Sequence, residues 1–180
     1  LERKGAKTGL VTTDGFRDTL EIGRTRRLIG GLFDIKFVRP KPLVSRDLRV
    51  EVEERVSADG TVLQSIDDVD FAPIVENFKN NGVKAIAVAF MNAYRNSENE
   101  EKALEKIQAL AGDVPVCAST TVVPEKGEFE RFSTCVLNAY LTPVVTTYLE
   151  TLAAELEGQG ITAPVSVMGS NGGVMTLDQA

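Results

Sequence analysis

The first third of the chain carries a pattern of apolar and polar positions that predicts strands. Residues 7–13 are short and β-branched, which favours a strand. Asp14 follows as the predicted N-cap of a short helix over residues 15–24, with apolar residues four apart on one face. Residues 48–56 alternate apolar and charged side chains, which is typical of a strand with one face in water. An Asp-Gly turn then predicts a hairpin with residues 61–64.

From residue 67 onward the pattern changes to helix and strand in alternation. Helical spacing recurs in residues 67–82, 97–112 and 128–158, and short apolar runs that predict buried strands lie at residues 84–90, 114–119 and 165–168. Asp67 is the predicted N-cap of the first of these helices, and Ser97 with Glu100 predicts a capping box on the second. Pro143 predicts a kink or a fresh start within the third. This order indicates an α/β fold with a mostly parallel sheet and flanking helices, preceded by a β-hairpin.

The pattern also suggests three segments. We expect residues 1–64 to continue a truncated N-terminal lobe, and residues 65–160 to form an α/β core with a long C-terminal helix. Residues 161–180 are expected to start a further domain that is truncated. Glycines and prolines make residues 30–46 a predicted irregular connection. The chain opens on Leu1, and a capping-box pattern at Thr176-Leu177-Asp178-Gln179 predicts a helix start close to the last residue. Both features lead us to expect a fragment of a longer protein.

The amino-acid composition argues against several kinds of partner and site. The 180 residues carry a formal net charge of −6 with the two signs interspersed, which argues against a nucleic-acid partner. No apolar run approaches the roughly 20 residues of a membrane helix, and no signal peptide opens the chain, so we expect a soluble cytoplasmic protein without a membrane partner. The chain has no histidine, which excludes a Ser-His-Asp triad or a His-ligated metal site within it. Cys117 and Cys135 lack metal-site spacing and are interpreted as small buried hydrophobes.

The glycine-rich loop after the last predicted strand is the first candidate site. Ser170, Asn171, Gly172 and Gly173 lie between that strand and the predicted helix start, where ligands often bind in α/β sheets. The alternative is a tight turn that requires positive φ angles. The loop is not a P-loop, because no Lys-Ser/Thr pair follows it.

Two charged segments are further candidates. Glu128 opens the long predicted helix and Arg131 lies one turn later, so both can act as polar organisers near a nucleotide or substrate cleft that the glycine-rich loop would line. The alternative is a charged helix start with an ordinary i, i+3 ion pair. The segment Asp14–Asp18 either positions a ligand or forms an N-cap with a surface ion pair. No catalytic residue and no metal ligand is assigned within the chain.

Several of these segments together resemble one family. The blocks are TGLVTTDGFRD at residues 8–18, EVEERVSADG at residues 51–60, the strand at residues 85–94, GEFERFST with NAYL within residues 127–141, and VMGSNGG at residues 167–173. They occur in the order found in A-type subunits of the hydantoinase/oxoprolinase family, and they span nearly the whole chain. Departures include Asn99, where the family often has histidine, and Met168-Gly169, where Met-Gln is common.

The resemblance implies a fragment of an ATPase with an actin-like, sugar-kinase-like architecture. Members of the family use ATP and Mg²⁺ or another divalent cation to open cyclic amides such as hydantoins or 5-oxoproline, usually with a B-type partner subunit. We expect the parent to activate the amide carbonyl by phosphorylation. The family's phosphate-binding loops lie outside this chain, so we expect the isolated chain to bind no cofactor and to be inactive.

Three alternatives remain open at this point. They are a non-catalytic scaffold domain that docks a partner subunit, a sugar- or acid-kinase-like phosphotransferase, and a ketone carboxylase subunit. The scaffold fits the missing phosphate loops and the lack of histidine equally well.

Overall fold

A four-stranded parallel sheet forms the centre of the computed structural model, which describes residues 3–23, 36, 38, 40–161, 163–169 and 172–177. Its spatial order is β2 (Arg49–Val52), β1 (Thr8–Thr13), β5 (Ala85–Ala89) and β6 (Val116–Ala118). Because all four strands are parallel, their carboxyl ends meet at one edge of the sheet. The predicted mostly parallel sheet is confirmed. It draws strands from both of the predicted segments 1–64 and 65–160, whose boundary stays a prediction.

Two antiparallel hairpins lie outside this sheet. β3 (Arg55–Val56) pairs with β4 (Val62–Gln64), which confirms the predicted hairpin. β7 (Ser166–Met168) pairs with β8 (Val174–Thr176) near the end of the chain. The second pairing was not predicted, because only its first strand has a clear apolar run.

Five helices pack around the sheet in the described part of the chain. They are α1 (Thr19–Ile22), α2 (Ala72–Asn80), α3 (Glu98–Ala111), α4 (Ser119–Val122) and α5 (Glu128–Gly158), and a 3-10 turn covers Arg46–Leu48. Every residue of β5 is buried, so the centre of the sheet is covered on both faces. α5 runs unbroken through Pro143, and its first half packs on the sheet with Phe132, Cys135, Val136 and Ala139.

Several predicted boundaries are wrong. The helix expected over residues 15–24 is one turn long and begins after Asp18. The strand expected over residues 48–56 divides into β2 and β3, because Glu54 turns into the protein interior between them. α2 begins at Ala72, whose N–H donates to Asp70 Oδ1 (2.9 Å), so Asp67 is not its cap.

The capping box predicted at Ser97 and Glu100 is also wrong. Ser97 makes no side-chain cap and binds Glu101 instead (2.6 Å), while Asn96 Oδ1 accepts the N–H of Glu98 (3.0 Å). Glu100 is fully buried. Thr176 is the last residue of β8, and residues 178–180 lie outside the described residues, so the capping box predicted at residues 176–179 stays a prediction. Of the predicted irregular connection, the described residues 40–45 have no helix or strand, and most of the remainder lies outside the described residues.

A membrane span is not found: none of the helices in the described ranges is long and apolar enough to cross a bilayer.

Gly9 lies on the buried strand β1, where the packing of the core leaves little room for a side chain. A Cβ atom there would lie 2.9 Å from the buried ring of Phe78 on α2. We predict that Gly9→Ala lowers the free energy of unfolding by about 1–3 kcal/mol, as overpacking commonly does, measured by urea denaturation. Gly158→Ala is the matched control, because a Cβ at that helical glycine meets nothing within 4 Å. Equal stability of the two variants would contradict the packing described here.

Candidate functional site

An open cleft of about 770 Å³ lies at the carboxyl edge of the sheet. Its walls are the loop after β1 together with α1, the second residue after the end of β5, and the start of α5 with the residues before it. The described residues that line it are Gly15, Phe16, Asp18, Thr19, Ile22, Gly23, Met91, Lys126, Gly127, Glu128, Phe129 and Glu130. This is the edge at which open parallel sheets commonly bind ligands, so we take the cleft as the candidate site.

The wall formed by residues 14–18 is held from the neighbouring strand β2. Glu51 Oε1 accepts the N–H groups of Gly15 (2.9 Å) and Arg17 (3.3 Å). Arg49, only 4% exposed, places Nη1 3.4 Å from Asp18 and 3.1 Å from Glu21. The pKa of Asp18 is lowered, chiefly by its hydrogen bond with Arg46. Ion pairs with Glu51, Arg46 and Arg49 therefore fix the segment Asp14–Asp18 as part of the cleft wall, and a role in positioning a ligand stays a prediction.

A buried ion pair fixes the opposite wall, at the start of α5. Arg131 is 1% exposed and donates to Ser119 Oγ (2.7 Å) and to the carbonyl oxygen of Phe90 (2.7 Å). Its Nη1 lies 3.6 Å from Oε1 of the fully buried Glu100. Glu100 in turn accepts from the Phe90 N–H (2.9 Å), the Ser119 hydroxyl (2.7 Å) and the Thr120 N–H (2.7 Å). We call these five residues the Glu100–Arg131 clamp.

The clamp joins four elements that are far apart in sequence. Glu100 belongs to α3, Phe90 follows β5, Ser119 and Thr120 open α4, and Arg131 lies in the first turn of α5. The ion pair of Arg131 is thus with Glu100, and not the local pair with Glu128 considered from sequence. Burial lowers the pKa of Arg131, and the charge of Glu100 opposes that shift. Glu128 lines the cleft, while Arg131 lies beneath the cleft wall.

A second buried network lies beside the clamp. Glu54, 3% exposed, accepts hydrogen bonds from the Thr13 hydroxyl and from Asn99 Nδ2 (2.9 Å). Thr13 Oγ1 also accepts the N–H of Met91 (2.9 Å), which lines the cleft. Burial raises the pKa of Glu54, while the two hydrogen bonds oppose that shift. The ends of β1 and β5 are therefore linked through Thr13 at the floor of the cleft.

The C-terminal glycine loop is a tight turn in the part that the structure describes. Ser170 and Asn171 lie outside the described residues. Gly172 has φ +83° and donates its N–H to the Gly169 carbonyl (2.9 Å), and the Gly169 N–H donates to the Gly173 carbonyl (2.8 Å). Neither Gly172 nor Gly173 lines the cleft. The role of Ser170–Gly173 at a site stays a prediction, and a side chain at Gly172 would strain the turn in any case.

Sequence reasoning missed Glu54, Asn99 and Glu100 as the polar residues that organise this edge. A signal for Glu100 was present, because it shares the buried helical face of Ala103 and Ile107 at i+3 and i+7. A carboxylate on such a face requires buried partners. Glu54 carries no comparable signal, since strand alternation alone does not show where a strand ends.

Comparison with known proteins gives the family. The hydantoinase/oxoprolinase N-terminal region matches residues 1–111, and the hydantoinase/oxoprolinase domain matches residues 131–180. The chain belongs to the hydantoinase/oxoprolinase family. The resemblance read from the sequence blocks is thereby confirmed.

Individual relatives agree with this assignment. An uncharacterized protein of Methanocaldococcus jannaschii is 39% identical over 97% of the chain, and the caprolactamase subunit alpha of Pseudomonas jessenii is 34% identical over 97%. The chain spans about a quarter of the length of each. The crystal structure of the ATP-dependent caprolactamase from Pseudomonas jessenii has a TM-score of 0.88 over 96% of this chain and 25% of its own. A nucleotide-free acetone carboxylase structure, 24% identical with a TM-score of 0.79 over 98% of this chain and 26% of its own, shows the same fold.

Removal of one buried charge from the clamp is expected to lower the stability of the protein strongly. We expect Glu100→Gln to lower the free energy of unfolding by about 3 kcal/mol or more, because Arg131 is then left buried without a counter-charge. The measurement is urea denaturation beside Glu105→Gln, an exposed glutamate on the same helix. A loss no larger than that of Glu105→Gln would contradict the structural role of the clamp.

The contribution of Glu54 to the free energy of unfolding is expected to depend on pH. Because its pKa is raised in the folded state, the folded protein binds this proton more tightly than the unfolded chain, so the contribution of Glu54 to stability falls as pH rises above the ordinary glutamate pKa. The unsubstituted chain should therefore lose stability relative to Glu54→Gln as the pH rises. We expect the unfolding free energy of the variant minus that of the unsubstituted chain to increase from about pH 4 towards about pH 7. The measurement is urea denaturation across this range. The exposed neighbour variant Glu53→Gln should show no such trend, and a flat difference for Glu54→Gln would contradict the prediction.

Proposed function

We propose that this chain is part of an ATP-dependent subunit that opens a cyclic amide, and that the carboxyl-edge cleft faces the nucleotide or the substrate in the full-length parent. The observation that carries the proposal is the position of the cleft, in a fold that matches an ATP-dependent caprolactamase over nearly the whole chain. A caprolactam is a cyclic amide, so this relative supports the substrate class. The family assignment supports it independently.

The residues at the α5 end of the cleft fit an anionic group. Gly127 is the N-cap of α5 with φ +124°, and no side chain caps the first turn. The positive end of the helix dipole and the Lys126 side chain therefore both border the cleft. A phosphate at this position would gain from both.

A divalent cation would complement the acidic residues of the same cleft. Asp18, Glu128 and Glu130 line it, and their charges disfavour a bare phosphate. The described ranges contain no group of three or more Asp, Glu, His or Cys that could hold a metal. Mg²⁺ is commonly bound by one or two carboxylates together with phosphate oxygens and water. We propose that Glu128 faces such an ion, and that the parent provides the remaining ligands.

The chain's own residues would then act by positioning. ATP, when bound, supplies the phosphoryl group that makes the amide carbonyl open to attack by water. Glu128 places a negative charge at the first turn of α5. The Glu100–Arg131 clamp holds this first turn against the end of β5. Small displacements of such positioning groups lower kcat strongly.

A protein partner is the second part of the proposal. The middle of α5 exposes a stripe of apolar side chains at helical spacing, namely Leu137 (44%), Leu141 (43%), Val144 (47%) and Tyr148 (64%). A stripe of this kind is typical of a surface that contacts protein. The relative from Pseudomonas jessenii is named as subunit alpha, and we propose that the parent works with a hydantoinase B-type subunit.

The test of the proposed function is Glu128→Gln in the full-length parent with its partner subunit. We predict at least about a tenfold loss in kcat of lactam-stimulated ATP hydrolysis, with an unchanged thermal midpoint. Glu125→Gln is the control, because Glu125 is exposed on the preceding loop and does not line the cleft.

Other outcomes separate the alternatives. Unchanged kinetics of Glu128→Gln would remove this cleft from the reaction. ATP hydrolysis that depends on a ketone and bicarbonate would indicate a carboxylase, and a phosphorylated alcohol as product would indicate a kinase. A parent without any ATP turnover would support the scaffold alternative.

A further inference from the structure

Two thiols face each other between the sheet and α5. Cys117 lies on β6 and Cys135 lies on α5, and their Sγ atoms are 3.7 Å apart. Each thiol also lies against the other residue's carbonyl oxygen, Cys117 Sγ at 3.6 Å and Cys135 Sγ at 3.7 Å. The two residues are therefore directly opposed, and both are free thiols.

The surroundings of the two thiols are unequal. Cys135 is fully buried, with Sγ also 3.6 Å from the Val88 carbonyl oxygen, whereas Cys117 is half-buried. The hydrogen bond with Cys135 lowers the pKa of the Cys117 thiol. The same interaction, together with burial, raises the pKa of Cys135 well above its usual range. Thiolate is the reactive form, so Cys117 is the more nucleophilic and more accessible member.

We propose that Cys117 and Cys135 form a reversible dithiol–disulfide site that is oxidised by a peroxide. The Cys117 thiolate attacks a peroxide oxygen and becomes a sulfenic acid, and the released hydroxide takes up the proton that Cys117 lost. The Cys135 sulfur then attacks the Cys117 sulfur, its own proton leaves with the hydroxyl group as water, and the disulfide forms. Hydrogen peroxide is thus reduced to two waters, while the two thiols lose two hydrogens.

The distance that must close is small. A disulfide needs about 2.0 Å between the sulfurs, so the present pair must approach by about 1.7 Å. Rotations about the two side chains can share this approach. The 3.7 Å distance between the two Sγ atoms distinguishes this pair from two unrelated buried cysteines. The proposed dithiol site does not depend on the proposed function of the parent.

The disulfide would lie close to the Glu100–Arg131 clamp along the chain and would share α5 with it. Cys117 precedes Ser119 by two residues, and Cys135 follows Arg131 by one helical turn. Linking them fixes β6 to α5 by a covalent bond. Oxidation is therefore expected to raise the thermal midpoint of the protein, and reduction to restore it.

The test is peptide mapping of the full-length parent after exposure to hydrogen peroxide. Remaining thiols are alkylated, and the protein is digested with trypsin without reduction. Cleavage after Lys126 and Arg131 places the two cysteines on separate peptides. We expect a linked pair of these peptides, two hydrogens lighter than their sum, which disappears after treatment with dithiothreitol.

Two outcomes would overturn the proposal. In the first, both peptides are recovered with alkylated thiols, although the same peroxide treatment oxidises a reference dithiol. In the second, Cys117 is found only as sulfinic or sulfonic acid while Cys135 remains a thiol.

Single substitutions assign the order of the two steps. In Cys135→Ala we expect oxidation to stop at a sulfenic acid on Cys117, trapped by dimedone. In Cys117→Ala we expect Cys135 to remain a thiol that is alkylated only after unfolding. Trapping on Cys135 in that variant would contradict the assignment of Cys117 as the attacking thiol. A circular dichroism spectrum like that of the parent confirms that each variant is folded.

Discussion

The buried ion pair between Glu100 and Arg131 is the constraint on which the carboxyl edge of this sheet depends. Each group alone would be costly to bury, and together they are compensated by Ser119, Thr120 and both backbone groups of Phe90. The pair holds α3, α4 and α5 at the end of β5. Because the cleft opens between β5 and α5, its shape follows from this contact.

The cleft combines a rigid frame with an open mouth. Its frame consists of the clamp, the Glu54–Thr13–Asn99 network and the arginines around Asp18, whose residues lie on strands and helices or directly beside them. Its mouth presents the first turn of α5, Lys126 and several carboxylates. Such an arrangement suits positioning of charged groups on a fixed scaffold. The chain spans about a quarter of its relatives, so the activity proposed above belongs to the full-length parent.

The fold was largely predictable from the sequence, because its signals are local. The continuous apolar run of β5 and the helical spacing of α2, α3 and α5 identified the parallel α/β sheet, and the Asp-Gly turn identified the β3–β4 hairpin. Boundaries failed where a tertiary contact decided them. Glu54 ends β2 by reaching Thr13 and Asn99, and Glu100 turns from a predicted cap into a core residue by meeting Arg131. Partners so distant in sequence leave no periodic pattern.

The candidate site was predictable only in part. Glu128 follows from its place at the start of a long helix, and the structure puts it in the cleft wall. Arg131 was singled out as a polar organiser near a cleft, a role that stays a prediction, and its buried partner Glu100 could not be read from neighbouring residues. The facing cysteines were interpreted as ordinary hydrophobes, since their 3.7 Å approach arises from packing of α5 on β6. The family blocks, by contrast, needed no tertiary information.

Amide hydrogen exchange in the full-length parent is the measurement that tests the central claim most directly. It compares the parent alone with the parent in ATP, Mg²⁺ and a lactam, and follows the amides at residues 128–130. If the first turn of α5 faces the bound nucleotide or substrate, those amides exchange more slowly in the presence of the ligands. Unchanged exchange at residues 128–130, with protection elsewhere in the parent, would contradict the account.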